Sequence, residues 1–232
     1  MPALYLLPST MSDAPAGDVI PQYNVRVAAS IKYFVVENVR TARRFLRRCD
    51  PDIDIESLNF EVLNVNTPAE QVGHMLAPLR AGNDVGVISE AGCPAVADPG
   101  ADLVNIAQQE GFTVVPLVGP SSIIMALMGS GLNGQRFAFK GYLPIDGKAR
   151  METLRAMQHR VEREGETQIF IETPYRNAKL AEELINTLPP SMRLCIAMDI
   201  TGSQQSIVTR TVAGWRRQRP QLSKIPTIFL LG

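Results

Sequence analysis

The chain has 232 residues and a mass of 25.4 kDa, long enough to bury a sizeable core and to form two compact lobes. Hydrophobic residues make up 45% and charged residues 20%, a balance typical of globular enzymes that excludes an intrinsically disordered chain. Lys and Arg total 23, as do Asp and Glu, so no overall positive charge favours nucleic acid or membranes, and such binding requires a local patch.

Targeting, membrane and metal-binding signals are weak. Residues 1–7 carry no basic residue, and the apolar runs fall short of the roughly 18 residues that a membrane helix needs. We therefore expect a cytoplasmic protein without a membrane segment. The three cysteines are far apart and the two histidines do not form a ligand pattern, which predicts reduced thiols and no metal site. The cysteines are Cys49, Cys93 and Cys195.

Apolar runs of strand length alternate with helical patterns through the first half of the chain. The predicted strands are Leu4–Leu7, Tyr33–Val36, Phe60–Leu63, Val85–Ile88 and Phe112–Pro116. Helices are predicted over Ala69–Ala81 and Gly100–Glu110. This alternation predicts an α/β domain with a parallel sheet between helices.

The pattern changes after a Gly-Pro pair at Gly119 and Pro120, where we place the junction between domains 1–118 and 119–232. The predicted helices that follow are Ser121–Gly129, Asp146–Gly165, Tyr175–Leu188 and Val212–Arg217. The predicted strands are Arg136–Lys140, Gln168–Ile171, Arg193–Ala197, Ser206–Arg210 and Thr227–Leu231. The second half is therefore also α/β.

A loop of small residues, Ser89–Gly100, follows a predicted buried strand. In open α/β sheets the carboxyl ends of strands border the ligand crevice, and small residues let a ligand approach the backbone. The alternative is a tight turn before a helix, with Asp98 as N-cap and Pro99 at the first helical position.

A second loop, Pro116–Ser122, also joins a strand end to a helix start. The backbone amides of a helix N-terminus suit a carboxylate or phosphate, while Ser121 and Ser122 are also ordinary capping residues. Two such loops in one sheet predict a single crevice.

Five arginines recur at helical spacing and share one face of a predicted helix. They are Arg40, Arg43, Arg44, Arg47 and Arg48. The stripe is either a solvated face paired with Asp50, Asp52 and Asp54, or a surface that binds RNA phosphates. A second cluster around Trp215 combines an aromatic ring with arginines, and its simpler interpretation is a helix with one core tryptophan.

Several motifs together resemble the tetrapyrrole methylase superfamily, in particular its branch that methylates a ribose 2′-hydroxyl of small-subunit ribosomal RNA. The similar segments are Ser89–Pro94, Asp98–Gly100, Val115–Ser122, Ser130–Leu132, Arg136–Pro144, Phe170–Arg176 and Pro226–Gly232. Their order and spacing span nearly the whole chain.

The resemblance implies two α/β domains, one with a mostly parallel and one with a mixed sheet, a homodimer, and S-adenosylmethionine in the cleft between the domains. It implies cofactor contacts from Pro8, Ser89, Glu90, Ala91, Gly92, Cys93, Pro94, Pro120, Ser121, Ser122, Thr173, Pro174, Tyr175, Pro226 and Thr227. The resemblance also makes three glutamates candidate general bases for a hydroxyl acceptor, namely Glu37, Glu90 and Glu172.

The chain also departs from that branch. Ser9–Asp13 lacks the glycine of the Pro-Ile-Gly-Asn motif, and Glu37–Arg40 keeps only part of Glu-Asp-Thr-Arg. These changes leave two alternatives open: a methylase of a tetrapyrrole or other small molecule, and a degenerate cofactor-binding protein without turnover. A dinucleotide-dependent oxidoreductase is disfavoured because the three-glycine fingerprint is missing after the first strand.

Overall fold

The computed structural model describes residues 1–222 and 224–232. The chain divides into two compact units, Met1–Ser121 and Ser122–Gly232, here called the N-terminal and C-terminal units.

The N-terminal unit contains a five-stranded parallel sheet in the order β3-β2-β4-β1-β5. Its strands are β1 (Ala3–Leu7), β2 (Tyr33–Val36), β3 (Asn59–Val62), β4 (Val85–Ile88) and β5 (Thr113–Pro116). The central β4 is buried at all of its positions, because helices cover both faces of the sheet. The predicted parallel sheet is confirmed.

The helices of the N-terminal unit are α1 (Ala16–Val19), α2 (Gln22–Ser30), α3 (Val39–Cys49), α4 (Ala69–Val72), α5 (Ala77–Arg80) and α6 (Ala101–Gln109). The prediction of one regular helix over Ala69–Ala81 is wrong, because a 3₁₀ turn at Gly73–Leu76 separates α4 from α5. Pro78 has no N–H for the carbonyl of His74, and Gly73 is a weak helix former, so the regular ladder is interrupted there.

The start of α6 corrects a second prediction. The helix begins at Ala101, with Gly100 before it at φ +131° and no side-chain cap, so Asp98 is not the N-cap and Pro99 is not helical. Only glycine adopts the Gly100 conformation readily, and it sets Asp98 back into the loop that precedes the helix.

The C-terminal unit contains a five-stranded mixed sheet in the order β6-β7-β10-β8-β9. Its strands are β6 (Phe137–Tyr142), β7 (Thr167–Glu172), β8 (Arg193–Met198), β9 (Ser206–Thr211) and β10 (Thr227–Leu231). Strands β6 and β7 are parallel and the other pairs antiparallel, so the mixed sheet is confirmed. Strand β10 lies at the centre and is buried throughout.

The helices of the C-terminal unit are α7 (Ser122–Ser130), α8 (Gly147–Glu164), α9 (Asn177–Thr187) and α10 (Val212–Arg217). Residues of α8, α9 and α10 share a core with the stacked rings of Phe170 and Phe229. Helix α7 contacts the opposite face, because Gly129 packs on Ile207 whereas its neighbour Val208 packs on the core. Within the described ranges, no helix is long and apolar enough to cross a membrane.

Candidate functional site

The carboxyl ends of β1, β2, β4 and β5 lie at one edge of the N-terminal sheet, because the strands are parallel. The segments that follow these strands are Pro8–Ser9, Glu37, Ser89–Pro94 and Leu117–Ser121, here called the N-terminal strand ends. They contain most of the residues that the sequence predicts for the cofactor.

Backbone contacts with Ser9 fix the loop after β4. The Ser9 N–H donates to the Gly92 carbonyl at 2.9 Å, and the Gly92 N–H donates back at 3.3 Å. The Ser9 hydroxyl donates to the Ser89 carbonyl at 3.0 Å, and Ser9 is only 2% exposed. Sequence reasoning treated Ser9 only as part of a departure from the family pattern, yet it anchors the predicted cofactor loop.

Two glycines give this edge its close packing. Gly92 has φ +77°, and a Cβ there would lie 3.4 Å from the Pro120 carbonyl oxygen. A Cβ at Gly119 would lie 2.2 Å from the Cβ of Pro8, closer than two carbon atoms can approach. Both positions therefore require glycine, one for its conformation and one for the contact with Pro8.

The thiol of Cys93 joins the two predicted loops. Its Sγ donates to the Pro120 carbonyl oxygen at 3.4 Å. Burial raises the pKa of the Cys93 thiol. The thiol therefore stays protonated and can donate this hydrogen bond. This hydrogen bond links the loop after β4 to the loop after β5.

Three carboxylates belong to this edge. Glu37 Oε2 accepts from the Glu90 N–H at 3.3 Å, and Glu90 Oε1 accepts from the Thr41 hydroxyl at 3.3 Å. Burial and the nearby charge of Glu37 raise the pKa of Asp98 to about 6, although the Ser89 side chain opposes the shift. The structure thus brings Glu37 and Glu90, two of the three predicted candidates for the general base, close together. Asp98 is a further carboxylate at this edge. The sequence analysis did not include it among the candidates because a role as helix N-cap accounted for it.

Replacing Asp98 with Asn is expected to remove a pH dependence of stability. With a pKa of 3.8 when unfolded and about 6 when folded, the folded state binds more protons between these values, so this group's contribution to stability falls as pH rises through that window. The melting temperature of Asp98→Asn relative to wild type should therefore increase from pH 4 to pH 6 and level off above. A constant difference in thermal denaturation across this range would contradict the raised pKa.

A second group of predicted residues lies within the C-terminal unit, at the end of β7 and the start of β10. Antiparallel pairing places Thr227 opposite Glu172, so the Glu172–Tyr175 segment and Pro226–Thr227 are neighbours. Glu172, 8% exposed at its side chain, accepts from Arg176 at 2.6 Å and from the Thr173 N–H at 2.7 Å. These bonds favour a positioning role for Glu172.

Two buried asparagines hold the segments that adjoin the predicted site. Asn24, 3% exposed, donates from Nδ2 to the Val118 carbonyl at 2.8 Å, just before Gly119. Asn177, 0% exposed, donates to the Ile225 carbonyl at 2.7 Å, just before Pro226. Sequence reasoning missed both, because no local pattern distinguishes a buried asparagine from a surface one.

The arginine stripe lies on α3, as predicted, but its members differ in their contacts. Arg43 pairs with Glu56 at 3.4 Å and lies over the Phe60 ring, and Arg48 donates to the Ala14 carbonyl. The remaining three, Arg40, Arg44 and Arg47, are exposed. The stripe therefore combines two arginines that bind the N-terminal unit with three that point to solvent.

Trp215 is a core residue, as its simpler interpretation predicts. It is 5% exposed, and its indole N–H donates to the Leu194 carbonyl at 2.8 Å.

The described residues contain no group of three or more His, Cys, Asp or Glu side chains placed to hold a metal ion.

The comparisons with known proteins agree with these features. A family model described as tetrapyrrole (corrin/porphyrin) methylases matches residues 22–214. A relative from Vibrio cholerae named ribosomal RNA small subunit methyltransferase I is 30% identical over 206 residues, covering 89% of this chain and 67% of the relative. A protein of the same name from Xylella fastidiosa is 32% identical over 203 residues, covering 87% and 70%.

Solved structures show the same fold. The methyltransferase CobJ superposes with a TM-score of 0.63 at 18% identity, covering 100% of this chain and 93% of the other. Uroporphyrin-III-C-methyltransferase from Thermus thermophilus gives a TM-score of 0.53 at 16% identity, covering 100% and 92%. Methyltransferases of this kind use S-adenosylmethionine as methyl donor. The family model matches most of the length of this chain, and the chain has the same two α/β units as the solved structures. This chain therefore belongs to the tetrapyrrole methylase family of methyltransferases.

Proposed function

We propose that this chain transfers the methyl group of S-adenosylmethionine to a ribose 2′-hydroxyl of small-subunit ribosomal RNA. The observation that carries the proposal is the similarity to ribosomal RNA methyltransferases over nearly nine-tenths of the chain. The exposed arginines of α3 support it, because they offer guanidinium groups for phosphates on a chain whose net charge is zero.

The N-terminal strand ends fit S-adenosylmethionine. Gly92 and Gly119 let the loops after β4 and β5 pack closely at the edge of the sheet, and the Oδ1 atom of buried Asn24 has no partner among the described residues. We propose cofactor contacts from Pro8, from Ser89–Pro94 and from Pro120–Ser122, together with the C-terminal segments Thr173–Tyr175 and Pro226–Thr227. S-adenosylmethionine supplies a methyl group activated by a positively charged sulfur.

The residues of this chain then have two tasks. The loops hold the methyl donor in line with the acceptor and exclude water, which is most of what a methyl displacement needs. A carboxylate accepts the proton of the acceptor hydroxyl, and Glu37 and Glu90 are the proposed candidates at this edge. Asp98 lies in their electrostatic range and adds negative charge when ionised.

Mass spectrometry of small-subunit ribosomal RNA from a strain that lacks this chain tests the proposal. We expect one ribose methyl group to be missing, and to be restored when the purified protein and S-adenosylmethionine are added to ribosomal subunits from that strain. Intact methylation would overturn the RNA acceptor. Methyl transfer to a porphyrinoid would then identify a small-molecule methylase, and cofactor binding without any transfer would identify a degenerate protein.

We also propose a homodimer, as the family resemblance implies, and a cytoplasmic location, in keeping with the similarity to ribosomal RNA methyltransferases. Light scattering that gives a stable 25.4 kDa species at working concentration would refute the dimer.

Replacing Arg40, Arg44 and Arg47 with Gln is expected to weaken binding of ribosomal RNA fragments. Each lost phosphate contact should reduce the magnitude of the slope of log affinity against log salt by about 0.7–0.9. The slope of the triple variant should therefore be smaller than that of wild type by about 2 to 3. Gln preserves helix propensity, and S-adenosylmethionine binding should not change. A matched variant, Arg155, Arg160 and Arg163 to Gln on α8, controls for net charge. If both variants bind RNA like wild type, the stripe is a solvated face.

A further inference from the structure

A second surface of the C-terminal unit lies over β8 and β9, on the face of the sheet that packs against α8, α9 and α10. A cavity of about 320 Å³ opens there, at the small end of the range for ligand pockets. Its floor is apolar, formed by Ile196, Met198, Val208 and Trp215. Its rim is polar, with Arg210, Gln218, Arg219 and Gln221 among the lining residues.

The strand register shows on which face of the sheet the cavity opens. Val208 points to the sheet face that packs against α8, α9 and α10, whereas Ile207 points to the face that contacts α7. The cavity therefore lies between the first of these faces and the segment that follows α10, and its Met198 pairs with Thr227, one of the proposed cofactor contacts.

The rim is positively charged and has no acidic partner. Arg210 lies over the Trp215 ring at 5.0 Å and donates to Gln218, and Arg219 donates to Asn186 Oδ1 at 3.1 Å. Neither arginine forms a salt bridge with any of the described residues. Arg217 on α10 adds a further exposed positive charge beside them.

The other arginine of α10 has a structural role that fixes this surface. Arg216 donates from Nε to the Ile185 carbonyl at 2.9 Å and from Nη2 to the Leu188 carbonyl at 3.1 Å. It thus binds the last carbonyls of α9 and holds α10 in place. The rim arginines are carried on a rigid support, which favours a formed site over a mobile charged surface.

We propose that this cavity binds one unpaired nucleotide of the substrate RNA, with the base on the apolar floor and its phosphate between Arg210 and Arg219. Guanidinium groups suit bidentate contacts with phosphate, and the amides of Gln218 and Gln221 can hydrogen-bond the base edge. Proteins that bind single-stranded RNA combine positively charged side chains with surfaces on which bases stack, and an Arg guanidinium plane is one such surface. The inference rests on the proposed function and adds a contact with the substrate RNA besides the reacting hydroxyl.

Trp215 is the only tryptophan of the chain, so its fluorescence reports directly on this cavity. The probes are a single-stranded hexaribonucleotide, uridine monophosphate and inorganic phosphate, each titrated at low salt. We expect the hexanucleotide to change the emission with the highest affinity. The double variant Arg210→Gln with Arg219→Gln should weaken that binding at least tenfold and lower the salt slope by about 0.7, the value for one lost phosphate contact. The control is Arg155→Gln with Arg163→Gln, which removes the same charge from α8.

The same variants are compared in methyl transfer to ribosomal subunits. We expect the rim variant to raise KM for the subunit at least tenfold and to leave S-adenosylmethionine affinity unchanged, while the control matches wild type. Wild-type transfer with an unchanged KM in the rim variant would overturn the site but not the proposed function. Equal affinity for phosphate and hexanucleotide would overturn the RNA occupant. No transfer by wild type, with hexanucleotide binding that depends on the rim, would overturn the acceptor and support the site.

Discussion

Replacing Gly119 with Ala is expected to lower the affinity for S-adenosylmethionine at least tenfold. The new Cβ would lie 2.2 Å from the Cβ of Pro8 and 2.5 Å from its Cγ, and both atoms belong to a rigid ring that cannot rotate away. The loop after β5 or the end of β1 must therefore move, and both are proposed cofactor contacts. Overpacking of this kind also costs about 1–3 kcal/mol of stability. Calorimetric titration and thermal denaturation measure the two effects.

A second variant at the same edge, Gly92→Val, is expected to lose binding for a different reason. Gly92 has φ +77°, a conformation that β-branched residues adopt at high cost, and its Cβ would face the Pro120 carbonyl. Gly17→Ala is the control, because a Cβ there has no neighbour within 4 Å and its φ is not positive. Wild-type affinity in both edge variants would show that the N-terminal strand ends do not bind the cofactor. No heat and no stabilisation of wild type at millimolar ligand would reject cofactor binding altogether.

Replacing Arg176 with Leu is expected to destabilise the protein by about 2–3 kcal/mol, the cost of leaving a buried charged group without its partner. The Glu172 side chain is 8% exposed and would keep only the Thr173 N–H as hydrogen-bond donor. The double variant with Glu172→Gln removes the unpaired charge and should recover part of the loss. Denaturant unfolding of wild type, the two single variants and the double variant gives the coupling energy.

The chain offers a matched control for this pair. Arg160 and Glu164 have the same four-residue separation on α8 but are 49% and 39% exposed, so Arg160→Leu should cost less than about 1 kcal/mol. Equal losses at both sites would mean that burial of Glu172 does not matter. A separate measurement of kcat in Glu172→Gln distinguishes a positioning residue, which changes mainly KM, from a general base.

Local sequence patterns determined most of the secondary structure. Tyr33–Val36, Val85–Ile88 and Thr227–Leu231 were predicted with the bounds they have, because short β-branched runs end abruptly at polar or turn residues. Helix α2 was missed, since Gln22–Ser30 is polar on average and begins and ends without a capping side chain. Its packing against the sheet, and not its own pattern, makes it helical.

The sequence also located the two small-residue loops, because a glycine after a strand signals close approach wherever it lies in space. It did not show what holds those loops. Ser9 reaches Ser89 across 80 residues, and Asn24 reaches Val118 across 94. Contacts of this separation follow from strand order, which no local window contains.

The arginine stripe shows the same division. Helical periodicity alone placed the five arginines on one face of α3, because a spacing of three and four residues repeats each turn. Only the tertiary structure decided that Arg43 and Arg48 bind Glu56 and the Ala14 carbonyl, leaving three arginines in solvent. Periodicity fixes the direction of a side chain, whereas its partner depends on which distant segment folds against that face.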